Sequence, residues 1–180
     1  MSYFTKIDNF FIEEDLDFLK RFKSDTIAME FIGSGTHLEY FLLTDYPEFI
    51  SIHIKKICKI EPTGILYSRI SGQGSLGAHV DQGPLVSLNY YIDAGLDETI
   101  FFEKKSDNVL SKRYDNQESN IYTLQDLTPK AKFVANTQDV YLLNVNKIHA
   151  VIKKTNVPRE FISYQWYNNT YEEVKENLLL

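Results

Sequence analysis

Cysteine is almost missing from this chain. Cys58 stands alone among 180 residues, so no internal disulfide can form, and a single thiol suits a reducing compartment. A basic excess is missing too: 19 Lys and Arg face 25 Asp and Glu, for a formal net charge of −6. That balance argues against a general phosphate-backbone binder, which needs a concentrated basic surface. The pairs Lys55-Lys56, Lys104-Lys105 and Lys153-Lys154 read as solvated faces. No apolar run approaches the ~20 residues that span a bilayer. The opening MSYFTKIDNF has no basic segment followed by an apolar core, so a secretory signal is not expected. The expectation is a soluble, cytoplasmic protein without nucleic-acid or membrane partners. Its oligomeric state is not written in any of these features.

What the chain does have is aromatic side chains, with twelve Tyr, twelve Phe and one Trp, and enough length for one domain with its own core. The pattern along the chain changes near Gly64. Before it, IEEDLDFLKRF gathers Ile12, Leu16, Phe18, Leu19 and Phe22 on one side of a helix, with acids first and bases last. A second helix is predicted over DYPEFISIHIKKICKI. After Gly64 come eight short β-branched or aromatic runs: ILYSRIS, PLVSLNYYID, ETIFFEK, SNIYTLQD, AKFVA, DVYLLNV, HAVIKK and REFISYQW. The predicted fold class is mainly β (α+β), a sandwich or barrel of antiparallel strands braced by helices. Within one domain, 1–180, the reading places a helical front at 1–62, a β core at 63–168 and a closing helix at 170–179. The polar stretch KKSDNVLSKRYDNQESN, residues 104–120, reads as a long loop and a candidate substrate lid.

Four residues carry the chemistry. In GAHVDQG, His79 and Asp81 sit two apart, so an extended chain projects both to one side as neighbouring metal ligands. An isolated H-x-D is more often a surface histidine beside an acid. The far end of the chain changes that balance, because His149 follows the strand DVYLLNV and Arg159 opens REFISYQW. Two histidines and a carboxylate are the facial triad of non-haem Fe(II), which leaves coordination positions open. A guanidinium can grip a dicarboxylate such as 2-oxoglutarate with paired, charge-assisted bonds.

On these residues the sequence resembles the Fe(II)- and 2-oxoglutarate-dependent oxygenases, and among them the prolyl 4-hydroxylase-like group. The resemblance covers roughly Gly64 to Asn168 and extends weakly to IDNFFIEEDLDFL, similar to a strand-then-helix opening. HVD is followed by LVSLNYYID. GLDETIFFE keeps the acid, threonine and aromatics of a family strand but not the second glycine of its turn, and HAVIKKTNVPREFISYQW is similar to the distal motif. The resemblance implies a double-stranded β-helix, or jelly-roll. It implies iron on His79, Asp81 and His149, and 2-oxoglutarate on Arg159 and Tyr91. The implied reaction couples decarboxylation of 2-oxoglutarate by O2, giving succinate and CO2, to hydroxylation of an amino-acid residue, prolyl by similarity, in a peptide, a protein or a small amino-acid-like substrate. Ascorbate is an accessory reductant compatible with it. Two other readings stay open: a cupin-type metalloenzyme that does not use 2-oxoglutarate, and a non-catalytic metal-binding module.

Strand parity adds further candidates. Ser163, four after Arg159, shares its face and could reach the same carboxylate or bond within the interior. Asn89 and Ser87 share the side of Tyr91 and are candidates for the pocket wall, where Asn89 could contact the metal-proximal carboxylate of the co-substrate or a substrate. Tyr67 and Arg69 precede the H-x-D motif, and Arg69 either binds substrate or holds a neighbouring acid. His37 and His53 have no suitably spaced ligand partners. Cys58 and Trp166 read as packing residues.

Overall fold

Strands dominate because the sequence after Gly64 alternates two kinds of residue, and the alternation finds two different walls to face. The computed structural model describes residues 2–8, 29–33, 36–42, 55, 57–111 and 120–179. Twelve strands are present among them: β1 Phe4–Ile7, β2 Met29–Gly33, β3 Thr36–Leu42, β4 Gly64–Gly72, β5 Leu76–Val80, β6 Val86–Asp93, β7 Glu98–Lys104, β8 Asn120–Tyr122, β9 Leu127–Val134, β10 Val140–Leu143, β11 His149–Ile152 and β12 Arg159–Trp166. They form a seven-stranded sheet in the order β1-β10-β6-β12-β4-β3-β2 and a five-stranded sheet in the order β8-β5-β11-β7-β9. All the pairings in both sheets are antiparallel. The central strands alternate between the two sheets along the chain, so the fold is a jelly-roll.

The larger sheet has two faces of opposite character. On β6, Val86, Leu88, Tyr90 and Ile92 join a core cluster with Ile162, Tyr164 and Trp166 of β12. The alternate residues Ser87, Asn89 and Tyr91 of β6, and Arg159, Phe161, Ser163 and Gln165 of β12, line the cavity between the sheets. β6 is therefore buried along nearly its whole length, and its polar residues face inward. The helix α1, Tyr171–Glu176, covers the apolar face by burying Tyr171 and Val174. Its start is a capping box: Thr170 Oγ1 accepts from Glu173 N at 3.3 Å, and the Glu173 carboxylate accepts from Thr170 N at 2.7 Å. Trp166 is a packing residue, with Nε1 donating to Ile60 O at 3.1 Å. Cys58 is buried in the same cluster, and burial pushes its thiol pKa up.

Several expectations change. The sequence predicts a helical front, yet the described residues there include β1, β2 and β3. The hairpin MEFIG–THLEYFL pairs Gly33 with Thr36 and extends the larger sheet beyond β4. The predicted helix over 12–22 lies outside the described residues, as do most of the predicted helix over 45–60 and His53. SNIYTLQD is a strand of three residues followed by a single 3-10 turn, Leu124–Asp126. Of the candidate lid 104–120, residues 112–119 lie outside the described residues. Val109 packs with Ala78, Phe102 and Ala150 in a cluster that excludes the cavity-lining side chains, and none of 104–111 lines the cavity. Lys153 is buried rather than solvated. No helix among the described residues is long and apolar enough to cross a membrane.

Candidate metal centre and anion pocket

β5 and β11 are hydrogen-bonded neighbours, and their register sets His79 directly opposite His149. The ladder then shifts, Val151 pairing with Leu76, so that β5 carries one extra residue in the stretch Gly77-Ala78. Such a bulge re-aims side chains. Here His79 Nδ1 lies 2.7 Å from Gly77 O, and His149 Nδ1 lies 2.9 Å from Lys147 O. A backbone carbonyl can only accept, so each ring carries its proton on Nδ1 and turns Nε2 inward. Both Nε2 atoms converge on Asp81 Oδ1, at 3.2 Å from His79 and 3.5 Å from His149. The ligand atoms of the three residues all lie within 4.8 Å of one another. Asp81 sits one residue past β5, where its N–H donates to Val145 O at 3.3 Å. Gly83 then turns the chain at φ +103, and a Cβ there would stand 2.6 Å from the Tyr167 ring.

Three acceptor atoms facing one another repel unless a proton or a cation lies between them. The protonation pattern without metal reflects this. Burial drives the His149 pKa down to about 4, and the nearby His79 adds to the effect. Burial also works against charge on His79, but the hydrogen bond and charge of Asp81 outweigh it and raise that pKa. Burial alone would raise Asp81; the two histidines hold its pKa below the usual carboxylate range. The donor set of two neutral imidazoles and one carboxylate, with its other ring nitrogens anchored to carbonyls, fits a divalent first-row metal.

Across the cavity stands Arg159, the first residue of β12 and only 2% exposed. A second register shift lies beside it: Glu160 pairs with Asp93 but Phe161 with Tyr91, so Ile92 is an extra residue on β6. Arg159 Nη2 donates to Tyr91 Oη at 2.7 Å and to Thr99 Oγ1 at 2.8 Å. The guanidinium carbon lies 4.7 Å from the centroid of the Tyr91 ring. Leu38, Ile70, Leu76 and Val151 form an apolar cluster that also lines this part of the cavity. Arg159 Nε and Nη1 are buried with no hydrogen-bond partner, and Arg159 has no acidic partner among the described residues.

All seven candidate residues, His79, Asp81, Asn89, Tyr91, His149, Arg159 and Ser163, line the one cavity. Ser163 bonds to a side chain on the neighbouring strand β6. Its Oγ lies 2.6 Å from Ser87 Oγ, which in turn donates to Asn89 Oδ1 at 2.6 Å. Tyr67 joins the apolar face, and Arg69 pairs with Glu160 at 3.3 Å and Glu39 at 3.7 Å, away from the cavity lining. The sequence reading did not assign Thr99, Gln165 or Ser68 to the site, though all three line the cavity. Thr99 had a signal, as the threonine kept in GLDETIFFE. Gln165 had strand parity with Arg159 and Ser163.

No protein-family profile matches the chain, and no curated protein matches it in sequence. Solved structures similar to it include several of the oxalate decarboxylase of Bacillus subtilis. A SENS161-164DSSN mutant of that enzyme shares 10% identity at a TM-score of 0.41, over 79% of this chain and 29% of that one. A structure concerned with the substrate binding mode and a reaction-specificity switch in an oxalate decarboxylase shares 10% identity at a TM-score of 0.42, over the same shares of the two chains. A third, concerned with the Mn(II) centres of the enzyme, shares 9% identity at a TM-score of 0.41. The chain spans less than a third of the length of these decarboxylases. It is a jelly-roll protein that gathers a His-Asp-His cluster able to hold a metal ion between its two sheets.

Proposed function

We propose that the protein is an Fe(II)- and 2-oxoglutarate-dependent oxygenase that hydroxylates an amino-acid residue. Fe(II) would be held by His79, Asp81 and His149, and the distal carboxylate of 2-oxoglutarate by Arg159, Tyr91 and Thr99. The observation that carries this reading is the buried Arg159 with two unpartnered nitrogens. A desolvated guanidinium without a counter-charge is costly, and a carboxylate would supply both the charge and the missing acceptors.

Each residue then has a definite task. Gly77 O and Lys147 O keep both imidazoles in the tautomer that presents Nε2. The Tyr91 and Thr99 hydroxyls hold Nη2 and so leave the rest of the guanidinium to the ligand. The apolar cluster of Leu38, Ile70, Leu76 and Val151 excludes water at this end, which strengthens the charge-assisted bonds. When bound, the iron supplies activation of O2 coupled to decarboxylation of 2-oxoglutarate. The prime substrate would enter past the neutral wall of Ser87, Asn89, Ser163 and Gln165.

Anaerobic titration of Fe(II)-loaded protein with 2-oxoglutarate tests the reading. The expected outcome is a visible metal-to-ligand charge-transfer band that is lost in His149→Ala and in Arg159→Ala. Succinate release above a His79→Ala control provides the second readout. Full iron loading with no band would leave a jelly-roll metalloenzyme of another kind. That alternative needs the triad but places no demand on Arg159.

A further inference from the structure

A second pair of charges is buried close to the anion pocket, and nothing proposed so far uses it. Lys153 Nζ lies 2.8 Å from Asp97 Oδ2, and the two side chains are 1% and 0% exposed. The same ammonium donates to Val157 O at 2.6 Å. The other carboxylate oxygen accepts from Lys154 N at 2.9 Å. Beside them, Thr155 Oγ1 donates to Gly95 O at 2.7 Å. These bonds join the turn from β6 to β7, residues 94–97, to the loop from β11 to β12, residues 153–158. The contact is close, since a Cβ on Gly95 would stand 3.1 Å from Val157 O.

Buried ion pairs are a weak source of stability, because desolvation takes back most of the Coulombic gain. The position of this one suggests another use. Tyr91 lies on the strand that enters the turn, and Thr99 lies two residues beyond Asp97. Arg159 lies two residues beyond Val157, whose carbonyl the ammonium holds. The three side chains of the anion pocket thus come from three strand ends, and the pair ties together the connectors that deliver them. The turn itself shows an imposed conformation. Leu96, well exposed, is held at φ +61, a region that L-residues other than Asn and Asp rarely adopt.

We propose that Lys153 and Asp97 form a positioning clasp that sets Arg159 against Tyr91 and Thr99 in the geometry that receives a carboxylate. The clasp touches no ligand. It rests on the reading that Arg159 binds an anion, and it acts through the placement of that guanidinium. Misplacing a binding group by an ångström is enough to spoil a site of this kind.

The test uses the full chain and the double variant Lys153→Met/Asp97→Asn. It removes both charges together, so neither is left buried alone, and the introduced amide keeps an acceptor for the Lys154 N–H. Three quantities are compared with the unmodified protein: affinity for Mn(II), affinity for 2-oxoglutarate, and hydrogen exchange at Arg159 Nε–H. The last is read by 15N NMR, and its signal is identified by its loss in Arg159→Lys. The expected result is unchanged metal affinity, 2-oxoglutarate affinity reduced by about tenfold or more, as for other supporting-shell losses, and clearly faster Nε–H exchange. Unchanged 2-oxoglutarate affinity with unchanged exchange would overturn the clasp, and so would an equal loss of metal affinity, which marks a merely structural pair. If the unmodified protein binds no 2-oxoglutarate, the functional reading fails, while Nε–H exchange still decides the clasp. Should the double variant not fold, Thr155→Val removes only the neighbouring Thr155–Gly95 bond. It is then expected to move the same two readouts in the same direction by a smaller factor, and no movement would overturn the proposal.

Discussion

The two ends of the cavity are built in opposite ways. At the candidate metal end, the three possible ligands come from one strand pair and the residue after it, and each histidine is oriented by a carbonyl two residues earlier in the chain. At the end proposed to receive an anion, Arg159, Tyr91 and Thr99 come from three strands, and their hydrogen bonds span 60 or more positions of sequence. At the metal end the orientation of each imidazole is held by a local bond, so that end is expected to tolerate distant change better and to fail abruptly when a ligand is lost. The anion end depends on how its strands are brought together, so it is expected to respond to residues that touch no ligand.

The largest effect that separates the two ends is loss of a metal ligand. Asp81→Ala is expected to weaken Mn(II) or Fe(II) binding by more than the roughly 100-fold seen for outer-shell losses. Metal titration followed by elemental analysis checks this, and circular dichroism should be unchanged. Arg159→Met is next, and its sign depends on the ligand. Truncating a buried, hydrogen-bonded charge costs about 2–5 kcal/mol of binding, so 2-oxoglutarate affinity falls sharply. The ligand-free protein is expected to gain stability, by about 1–4 kcal/mol, because an uncompensated buried charge is removed. Calorimetry and denaturant unfolding of one preparation read both signs.

A pH series probes the metal end through its two histidines. Without metal, the His149 pKa of about 4 lies below the ordinary 6.5 of the unfolded chain. Unfolding therefore takes up a proton between these values, and stability falls as pH drops from 6.5 toward 4, by up to about 1.4 kcal/mol per pH unit. His79 has the opposite sign: its raised pKa gives a contribution present below 6.5 and lost as pH rises through the folded value. Denaturant unfolding of metal-free His149→Leu should show a flatter profile between about pH 4.5 and 6.5. Thr99→Val removes one bond to Arg159 with little change of shape. It should weaken 2-oxoglutarate by about 1.5–3 kcal/mol, the usual range for a hydrogen bond to a charged group. Ser163→Ala is the smallest. It deletes only the 2.6 Å contact with Ser87 and should cost about 1 kcal/mol of stability with metal and 2-oxoglutarate affinity unchanged.

The same contrast accounts for what was legible in the sequence. H-x-D has period two, so His79 and Asp81 could be paired from spacing alone. Ser163 was placed on the Arg159 face by the same logic, but spacing could not show that its hydroxyl turns to Ser87. Lys153-Lys154 looked like a solvated pair, because a sequence does not show that Asp97 waits 56 positions earlier to bury one of them. The strands β2 and β3 were missed because the pairing of β2 with β3, and of β3 with β4, was invisible from local pattern.

The sequence by itself determined the strand-rich body after Gly64, the two faces of each central strand, the closing helix near the C-terminus and the pairing of His79 with Asp81. These follow from period, propensity and side-chain chemistry, which are local. Only the tertiary structure decided that β5 and β11 pair with His79 opposite His149. It alone turned the polar face of β6 inward, left two nitrogens of Arg159 unpartnered in an apolar surround, and buried Lys153 against Asp97. Each of those is set by which strands become neighbours, and that choice is made by packing across the whole fold rather than along the chain.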